Sequence, residues 1–388
     1  MGAINLDNTG SGGAITLSSD GTSLLLGGSA VGGGADLYAA NESSPNAQPS
    51  ALGNNAIAIG NTTKAGTQSS HENAIAIGGS NNTSQPIQAT NTFAVAIGTA
   101  YYGAVTASSD GSMAIGTGAT VASASGSLAL GKSSTAAGNS AVSLSVSYAS
   151  GANSLAAAID NSTSSYGASG TNSVAIGNLA KAVGTNTLAI GARAETTGTS
   201  AIAIGHSYGN YGCVAASGGI AIGDGNNADA IFSTALGYRA KAATKGKFAF
   251  AVGQFAAQGD AQGGMYILRA DTTDATATVL TTNNATAAAD NQIVAASDTC
   301  ITFDGTIVAM QNGAQAFASF RIEGLLVNDG GTTTLANSAT TVIDNQSSWT
   351  VAMTADNTNN ALAITVTGEA SHNIRWVANI RTSEVTYA

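Results

Sequence analysis

Val174-Ala175-Ile176-Gly177, Leu188-Ala189-Ile190-Gly191 and Ile202-Ala203-Ile204-Gly205 repeat one phrase at intervals of 14 residues: apolar, Ala, apolar, Gly. The phrase also occurs as Ile57-Ala58-Ile59-Gly60, Ile75-Ala76-Ile77-Gly78, Val95-Ala96-Ile97-Gly98, Met113-Ala114-Ile115-Gly116 and Leu128-Ala129-Leu130-Gly131. Cousins close at Gly223, Gly237 and Gly253, and between Gly131 and Gly177 it loosens to Val142-Ser143-Leu144-Ser145 and Leu155-Ala156-Ala157-Ala158. The closing glycines are 18, 20, 18 and 15 residues apart from Gly60 to Gly131, then 14, 14, 18, 14 and 16 from Gly177 to Gly253. A fixed period of this kind is the signature of a repeat architecture. Alternation at period two makes each phrase a strand, and the Gly permits a bend closed to other residues. A strand, a turn, a second short strand and a turn fill 14 residues, with longer gaps absorbed by loops such as Ser80 to Gln88. Stacked units of this size make a solenoid of parallel strands.

Such a coil does not stabilise itself. Ordering about 14 residues costs roughly 14–28 kcal/mol of backbone entropy, against about 1.5–3 kcal/mol for each of two or three apolar side chains. So thin a cross-section is expected to leave apolar and Ala faces bare, which predicts lateral association into a closed symmetric oligomer. About 13 coils at roughly 4.8 Å would stack to a length on the order of 60 Å.

Thr171-Asn172-Ser173-Val174-Ala175-Ile176-Gly177, followed by Asn186-Thr187-Leu188-Ala189-Ile190-Gly191, resembles the head repeat of YadA-type trimeric adhesins. The resemblance spans about residues 54–253. It implies a left-handed parallel β-roll that trimerises along its length.

Composition agrees with a fibrous β protein. Of 388 residues, 9% are charged, 49 are Gly and only 3 are Pro. The length allows two or three domains, and no stretch has the 18 or more apolar residues of a membrane helix. No secretory signal is visible at Met1-Gly2-Ala3-Ile4-Asn5, nor does a heptad stalk with membrane strands appear at the far end. No membrane insertion is therefore expected. Net charge is −10: residues 1–253 carry 8 basic and 10 acidic side chains, residues 254–388 carry 4 and 12. That balance argues against nucleic acid as a partner. Cys213 and Cys300 lie in different segments and read as reduced thiols.

Residues 1–34 read as short strands, Ala14-Ile15-Thr16-Leu17 and Leu24-Leu25-Leu26, around a turn at Ser19-Asp20-Gly21. This opening resembles the N-terminal ends of phage tail-fibre proteins, which implies attachment to virion tail proteins. Residues 35–53, with Pro45 and Pro49, read as a linker. Where the repeat ends, Arg239, Lys241, Lys245 and Lys247 crowd together as a charged neck, or alternatively a polyanion site.

From Gln254 longer alternating strands appear around Ile301, Phe303 and Ile307; Trp349, Val351 and Met353; Leu362, Ile364 and Val366; and Ile374, Trp376, Ala378 and Ile380. Turn signals at Asp304-Gly305, Asn328-Asp329-Gly330-Gly331 and Asn357 to Asn360 separate them. The expected fold of residues 254–388 is an antiparallel β-sandwich, jelly-roll-like, with both Trp residues in its core. Its phrases Ile301-Thr302-Phe303-Asp304-Gly305 and Asn373-Ile374-Arg375-Trp376-Val377-Ala378, and the closing Arg381-Thr382-Ser383-Glu384-Val385-Thr386-Tyr387, resemble a C-terminal domain of phage tail fibres. The resemblance implies receptor binding and trimerisation there.

No chemical constellation stands out. Gly126-Ser127-Leu128-Ala129-Leu130-Gly131-Lys132-Ser133 spells a phosphate-binding loop, but Leu128-Ala129-Leu130 is the repeat strand itself and no helical period follows. His71, His206 and His372 have no ligand spacing for a metal. Asp224-Gly225-Asn226-Asn227-Ala228-Asp229 lacks calcium-loop spacing and reads as a turn between coils. A glycosidase would need two facing carboxylates, and Asp344, Asp356, Glu369 and Glu384 are the acids that folding could gather.

The sequence therefore reads as an all-β homotrimeric phage tail fibre, assembled in the host bacterial cytoplasm, without cofactor, metal or enzymatic activity. It is expected to bind a host polysaccharide or outer-membrane protein through loops at the distal end of its C-terminal domain, gaining affinity from multivalency. The loop candidates are Asn283–Asp290, Asp329–Thr333, Asn357–Asn360 and Glu369–Asn373, represented by Asn284, Asp329, Asn359 and Ser371. The alternatives are a bacterial trimeric adhesin passenger, a tailspike depolymerase and a capsid-attached fibre.

Overall fold

A computed structural model describes strands at 4–6, 15–19, 24–26 and 29–31 and residues 48–206, 212–313, 316–345 and 348–387. The expected turn at Asp20-Gly21 and most of the proline-containing linker lie outside the described residues. Those residues hold 38 strands and no helix, in two compact units, Met1–Ala157 and Ala158–Ala388.

In the first unit the opening strands form an antiparallel four-stranded sheet, Ile4–Leu6, Ile15–Ser19, Leu24–Leu26 and Ser29–Val31. Seven coils follow, each with two strands. The phrase strands stack in parallel and in register, Ile57 on Ile75, Val95, Met113, Leu128, Val142 and Leu155. The second strands form the facing sheet, from Ser50–Ala51 to Tyr148–Ala149. The second unit begins with six more coils, whose phrase strands run in register from Val174 through Leu188, Ile202, Ile220 and Thr234 to Phe248.

The coil is so thin that only small side chains fit between its sheets. The central Ala of each phrase (Ala58, Ala76, Ala96, Ala175, Ala189 and Ala203 among them) has no exposed surface. Expectation and structure differ here: the Ala face is interior, and the larger Ile, Val and Leu side chains flanking it point outward, half-buried. In the second unit these make two aliphatic columns, one from Val174 to Phe248 and one through Ile176, Ile190, Ile204, Ile222, Leu236 and Phe250. The facing sheet turns Lys181, Glu195, Val214 and Asn227 outward, with Lys181 and Glu195 paired at 2.9 Å across adjacent coils. In the first unit the corresponding residues include Lys64, Gln88 and Thr106. Taken together the coils are amphipathic, aliphatic on one flank and mainly polar on the other, where Val121, Tyr148 and Val214 are the apolar exceptions.

Two backbone positions set the corners. The closing glycines stack so closely that a Cβ on Gly191 would stand 1.9 Å from the carbonyl oxygen of Gly205. Two residues before each phrase, φ lies between 54° and 69° in all 13 coils, at Asn55, Asn73, Phe93, Gly111, Gly126, Ser140, Asn153, Asn172, Asn186, Ser200, Gly218, Phe232 and Gly246. Asn and Gly suit this left-handed geometry; Phe does not. Where Ser143 replaces the interior Ala, its hydroxyl donates to the Ser147 carbonyl at 2.8 Å, so the loosened phrases still close. Leu128–Leu130 is a ladder strand followed by a turn and then another short strand, Thr135–Ala136, so the helix that a phosphate-binding loop needs does not follow.

The remainder of the second unit has nine strands: β1 (Ala261–Thr272), β2 (Thr278–Val279), β3 (Ile293–Val294), β4 (Thr299–Gln311), β5 (Phe317–Asp329), β6 (Thr332–Asn345), β7 (Thr350–Asp356), β8 (Ala361–Thr367) and β9 (Ile374–Thr386). One antiparallel sheet has the order β1-β9-β4-β5-β6. In the other, β8 pairs with β7 on one edge and with β2 and β3 on the other. Between them lie Tyr266, Leu268, Ile301, Ile307, Phe320, Ile322, Trp349, Ile364, Val366 and Trp376. The two indoles are buried 5.6 Å apart, in the core rather than on a surface. The expected turn at Asp304-Gly305 is not one: both residues lie in the middle of β4. Gly305 is needed there because a Cβ would meet the Asn379 carbonyl oxygen at 2.3 Å.

The last phrase strand, Phe248–Val252, pairs antiparallel with the start of β1, Phe248 opposite Met265 and Phe250 opposite Gly263. Lys247 pins this junction. At the position where other coils place a buried Ser173 or Ser233, it reaches the Glu384 carboxylate at 2.5 Å, with both side chains under a tenth exposed. Glu384 also accepts from Gln262 (2.8 Å) and Thr382 (2.7 Å). Burial pushes its carboxyl up, but the Lys247 charge and these hydrogen bonds outweigh that and hold it below the usual carboxylate range. Lys241 faces Asp229 at 3.8 Å, Lys245 meets Asp290 at 2.6 Å, and Arg239 lies over the Tyr238 ring. Three of the four crowded cations thus face carboxylates, as a charged neck would place them.

Candidate receptor-binding surface

Successive turns of an antiparallel sheet alternate between its two ends, and this sorts the four loop candidates. Asn284 and Ser371 belong to the end where β1 stops and β9 begins; Asp329 and Asn359 belong to the opposite end. Strands of 12 to 13 residues put those ends about 40 Å apart. The expectation of one set of loops at one distal end is therefore corrected. A single receptor patch cannot contain all four.

At the first end, Asn284 (φ 58°) clasps Asp271: its Oδ1 accepts from the Asp271 amide at 3.2 Å and its Nδ2 donates to Asp271 Oδ2 at 2.9 Å. The other Asp271 oxygen meets Arg375 Nε at 3.2 Å. Thr272 beside it accepts from the Trp376 indole N–H at 3.0 Å, tying this edge to the core. The Asn312 amide donates to the Asn373 carbonyl at 2.8 Å, joining the end of β4 to the start of β9. Together Asp271, Thr273, Gln311, Asn312, Asn373 and Arg375 line an open cleft of about 550 Å³. Its lining combines a carboxylate, a guanidinium, amides and a hydroxyl, the donor and acceptor set that suits a polar ligand such as a glycan. Ser371 (φ 67°) lies two residues before Asn373, in a turn where Glu369 and His372 stand 3.2 Å apart. Sequence reasoning missed Asp271, Gln311, Asn312 and Arg375, because residues so separated converge only once β1, β4 and β9 are paired.

At the opposite end the loops are occupied with one another. The Thr333 amide donates to Asn357 Oδ1 at 2.7 Å, and the Gly330 amide to Asp298 Oδ1 at 3.1 Å. Asn359 donates to Asp356 through its amide (3.1 Å) and Nδ2 (2.7 Å). Partial burial raises the Asp356 carboxyl, but these bonds prevail and hold it below its usual range.

The acids that could have formed a glycosidase pair have separate partners. Glu384 holds Lys247, Asp356 closes its own hairpin, Glu369 faces His372, and Asp344 lies on the exposed edge strand β6. His71 bonds Gln68 and Thr67, and His206 faces Asp224 at 3.9 Å. Asn226, in the Asp224–Asp229 turn between coils, is buried and donates to the carbonyls of Ile222 and Gly237. Among the described residues no group of three or more His, Cys, Asp or Glu side chains is placed to hold a metal. Both cysteines are free, and burial pushes the Cys213 thiol up to about 11.

Comparison with known proteins bears on the coils. The family model of the YadA head domain repeat matches residues 51–81, 106–121, 168–194, 182–207, 216–240 and 228–256. No curated protein matches the chain. Among solved structures it is similar to the tailspike protein gp49 of Acinetobacter baumannii bacteriophage Fri1, described as a capsular polysaccharide depolymerase. That match has 9% identity and a TM-score of 0.19, over 86% of this chain and 70% of that one. It is also similar to the tailspike protein of Acinetobacter baumannii phage AM24, at 11% identity and a TM-score of 0.18, over 85% of this chain and 64% of that one. At these TM-scores the likeness supplies no argument about activity in either direction, so the expectation of a non-enzymatic chain gains no support from it. The chain is an all-β protein whose parallel solenoid carries stretches matching the YadA head repeat, followed by antiparallel sheets.

Proposed function

We propose that three copies of this chain associate into a bacteriophage tail fibre that adsorbs to the host cell surface. The observation that carries this reading is the amphipathic coil. Its half-exposed aliphatic columns each retain on the order of 1 kcal/mol per side chain to be gained by burial, and its other flank is mainly polar. Packing the aliphatic flanks of three copies around one axis satisfies both. The match to the YadA head repeat supports this arrangement.

In this reading residues 1–34 attach to tail proteins, 35–53 link, 54–253 supply the stiff repeat, and 254–388 meet the receptor. The cleft around Asp271 and Arg375 takes a polar surface group, a polysaccharide in the first instance, and three clefts per trimer convert weak contacts into avidity. A second reading, a trimeric adhesin on a bacterial surface, is favoured by the family match itself.

Immunogold electron microscopy with an antibody against residues 254–388 separates the two. Label on the tails of virions is expected. Label confined to intact bacterial envelopes would overturn the fibre reading in favour of the adhesin, and label on heads would move the fibre to the capsid. Reducing-sugar release from host envelope tests catalysis: binding without release is the expected result, and release would make the protein a depolymerase.

A further inference from the structure

The turn between the last coil and β1 wraps a buried carboxylate. Asp260, only 2% exposed, accepts from three successive backbone amides: Phe255 on Oδ1 at 2.9 Å, and Ala256 (2.6 Å) and Ala257 (2.7 Å) on Oδ2. Its own carbonyl accepts from the Thr386 amide at 2.9 Å, and the Tyr387 amide donates to the Asp298 carbonyl at 2.9 Å. Asp260 thereby holds Phe255 on one side and the end of β9, with Tyr387, on the other. Phe255, Ala256, Asp260, Val385, Thr386 and Tyr387 line a cavity of about 470 Å³. Its two aromatic side chains are 79% and 91% exposed, so the core makes little use of them.

The charge of this cavity is uncompensated. Burial raises the Asp260 carboxyl, but the three amides outweigh that and hold it below its usual range, so it is ionised at neutral pH. A carboxylate has about four acceptor sites, and the amides take three. Among the described residues no cation forms a salt bridge with it: Lys241 and Lys247, which line a neighbouring cavity with Asp260, pair with Asp229 and Glu384. The surrounding segment, residues 254–388, carries 12 acidic and 4 basic side chains, which adds to the negative field. Aromatic faces attract cations through their quadrupole, most strongly where water is displaced. An anion is repelled from such a cavity, and a neutral ligand leaves its charge unmatched.

We propose that this cavity binds an organic ammonium group, held by the rings of Phe255 and Tyr387 and by the charge of Asp260. The site is built within one chain and stands whatever number of copies associates. It lies at the other end of β1 and β9 from the cleft at Asp271 and Arg375.

The test is isothermal titration calorimetry of the full chain, at neutral pH and low salt, with choline, glucosamine and the uncharged tert-butyl analogue of choline. Saturable binding of choline or glucosamine is expected, with none of the uncharged analogue at the same concentration. The tighter of the two cations tells a quaternary headgroup from an amino sugar. Phe255→Ala and Tyr387→Ala should each weaken binding by about 3- to 10-fold. Tryptophan-fluorescence melts of both variants should match the wild type, because the side chains removed are exposed. Asp260→Asn keeps an oxygen for the amides but loses the charge, and should weaken binding at least as much. Failure of both cations to bind, equal binding of the uncharged analogue, or full affinity in either ring variant would overturn the proposal and leave the fibre reading untouched.

Discussion

Replacing Lys247 with Met tests how the repeat holds its C-terminal domain. In the wild type the Lys247 ammonium sits 2.5 Å from Glu384, with both side chains buried. The substitution leaves a carboxylate in a site that was desolvated for a pair. Removing one member of a buried pair typically costs about 3–5 kcal/mol. Gln262 and Thr382 still donate to Glu384 in the variant, which places the expected loss near the lower figure, about 3 kcal/mol. At roughly 2–4 °C per kcal/mol, the C-terminal transition should fall by about 6–12 °C. Intrinsic fluorescence reports it directly, because Trp349 and Trp376, the only two tryptophans, both lie in that core. The double variant Lys247→Met/Glu384→Leu removes both charges and should recover to within about 1 kcal/mol of wild type. A single variant that melts with the wild type, or a double variant no better than the single, would refute the buried-pair account.

Other outcomes follow from the same geometry. The Glu384 carboxyl is held below its unfolded value of about 4.3, so its contribution is complete above that value. It is lost as pH falls through the depressed folded value, with Asp260 and Asp356 acting in the same direction; an acid titration of tryptophan fluorescence should therefore show a stable plateau from neutral pH down to about pH 5. Gly191→Ala forces a Cβ towards the Gly205 carbonyl oxygen at a φ of 117°, and should cost about 1–3 kcal/mol by circular dichroism melting. Phe93→Asn at φ 55° relieves an exposed left-handed Phe and should raise stability by about 1 kcal/mol in the same assay. Ile190→Asp and Ile204→Asp together put charge on the aliphatic flank; native mass spectrometry should show fewer three-copy assemblies, with far-ultraviolet circular dichroism unchanged.

Much of the fold was legible in the sequence because a repeat states its rule many times. Strand, bend and period all appear in Val174-Ala175-Ile176-Gly177 and its copies. The alternation at Ile374, Trp376, Ala378 and Ile380 likewise declares a strand with one buried face. Local patterning fixed these features because they depend on neighbours in the chain. It could not say which residues of the phrase face inward: alternation marks two faces, and only the narrow spacing of the two sheets makes Ala the core and Ile the exterior. Nor did it reveal β6, whose Thr332–Asn345 lacks apolar alternation and is a strand because β5 offers it an edge. Asp304-Gly305 reads locally as a turn and is a mid-strand only because β9 presses against it. The cleft at Asp271 and Arg375, 104 residues apart in the chain, depends on the same pairing of β1 with β9. Period and alternation are properties of adjacent residues and were written in the chain. The facing of side chains, the edge strand and the cleft depend on distances between remote segments, which only tertiary packing sets.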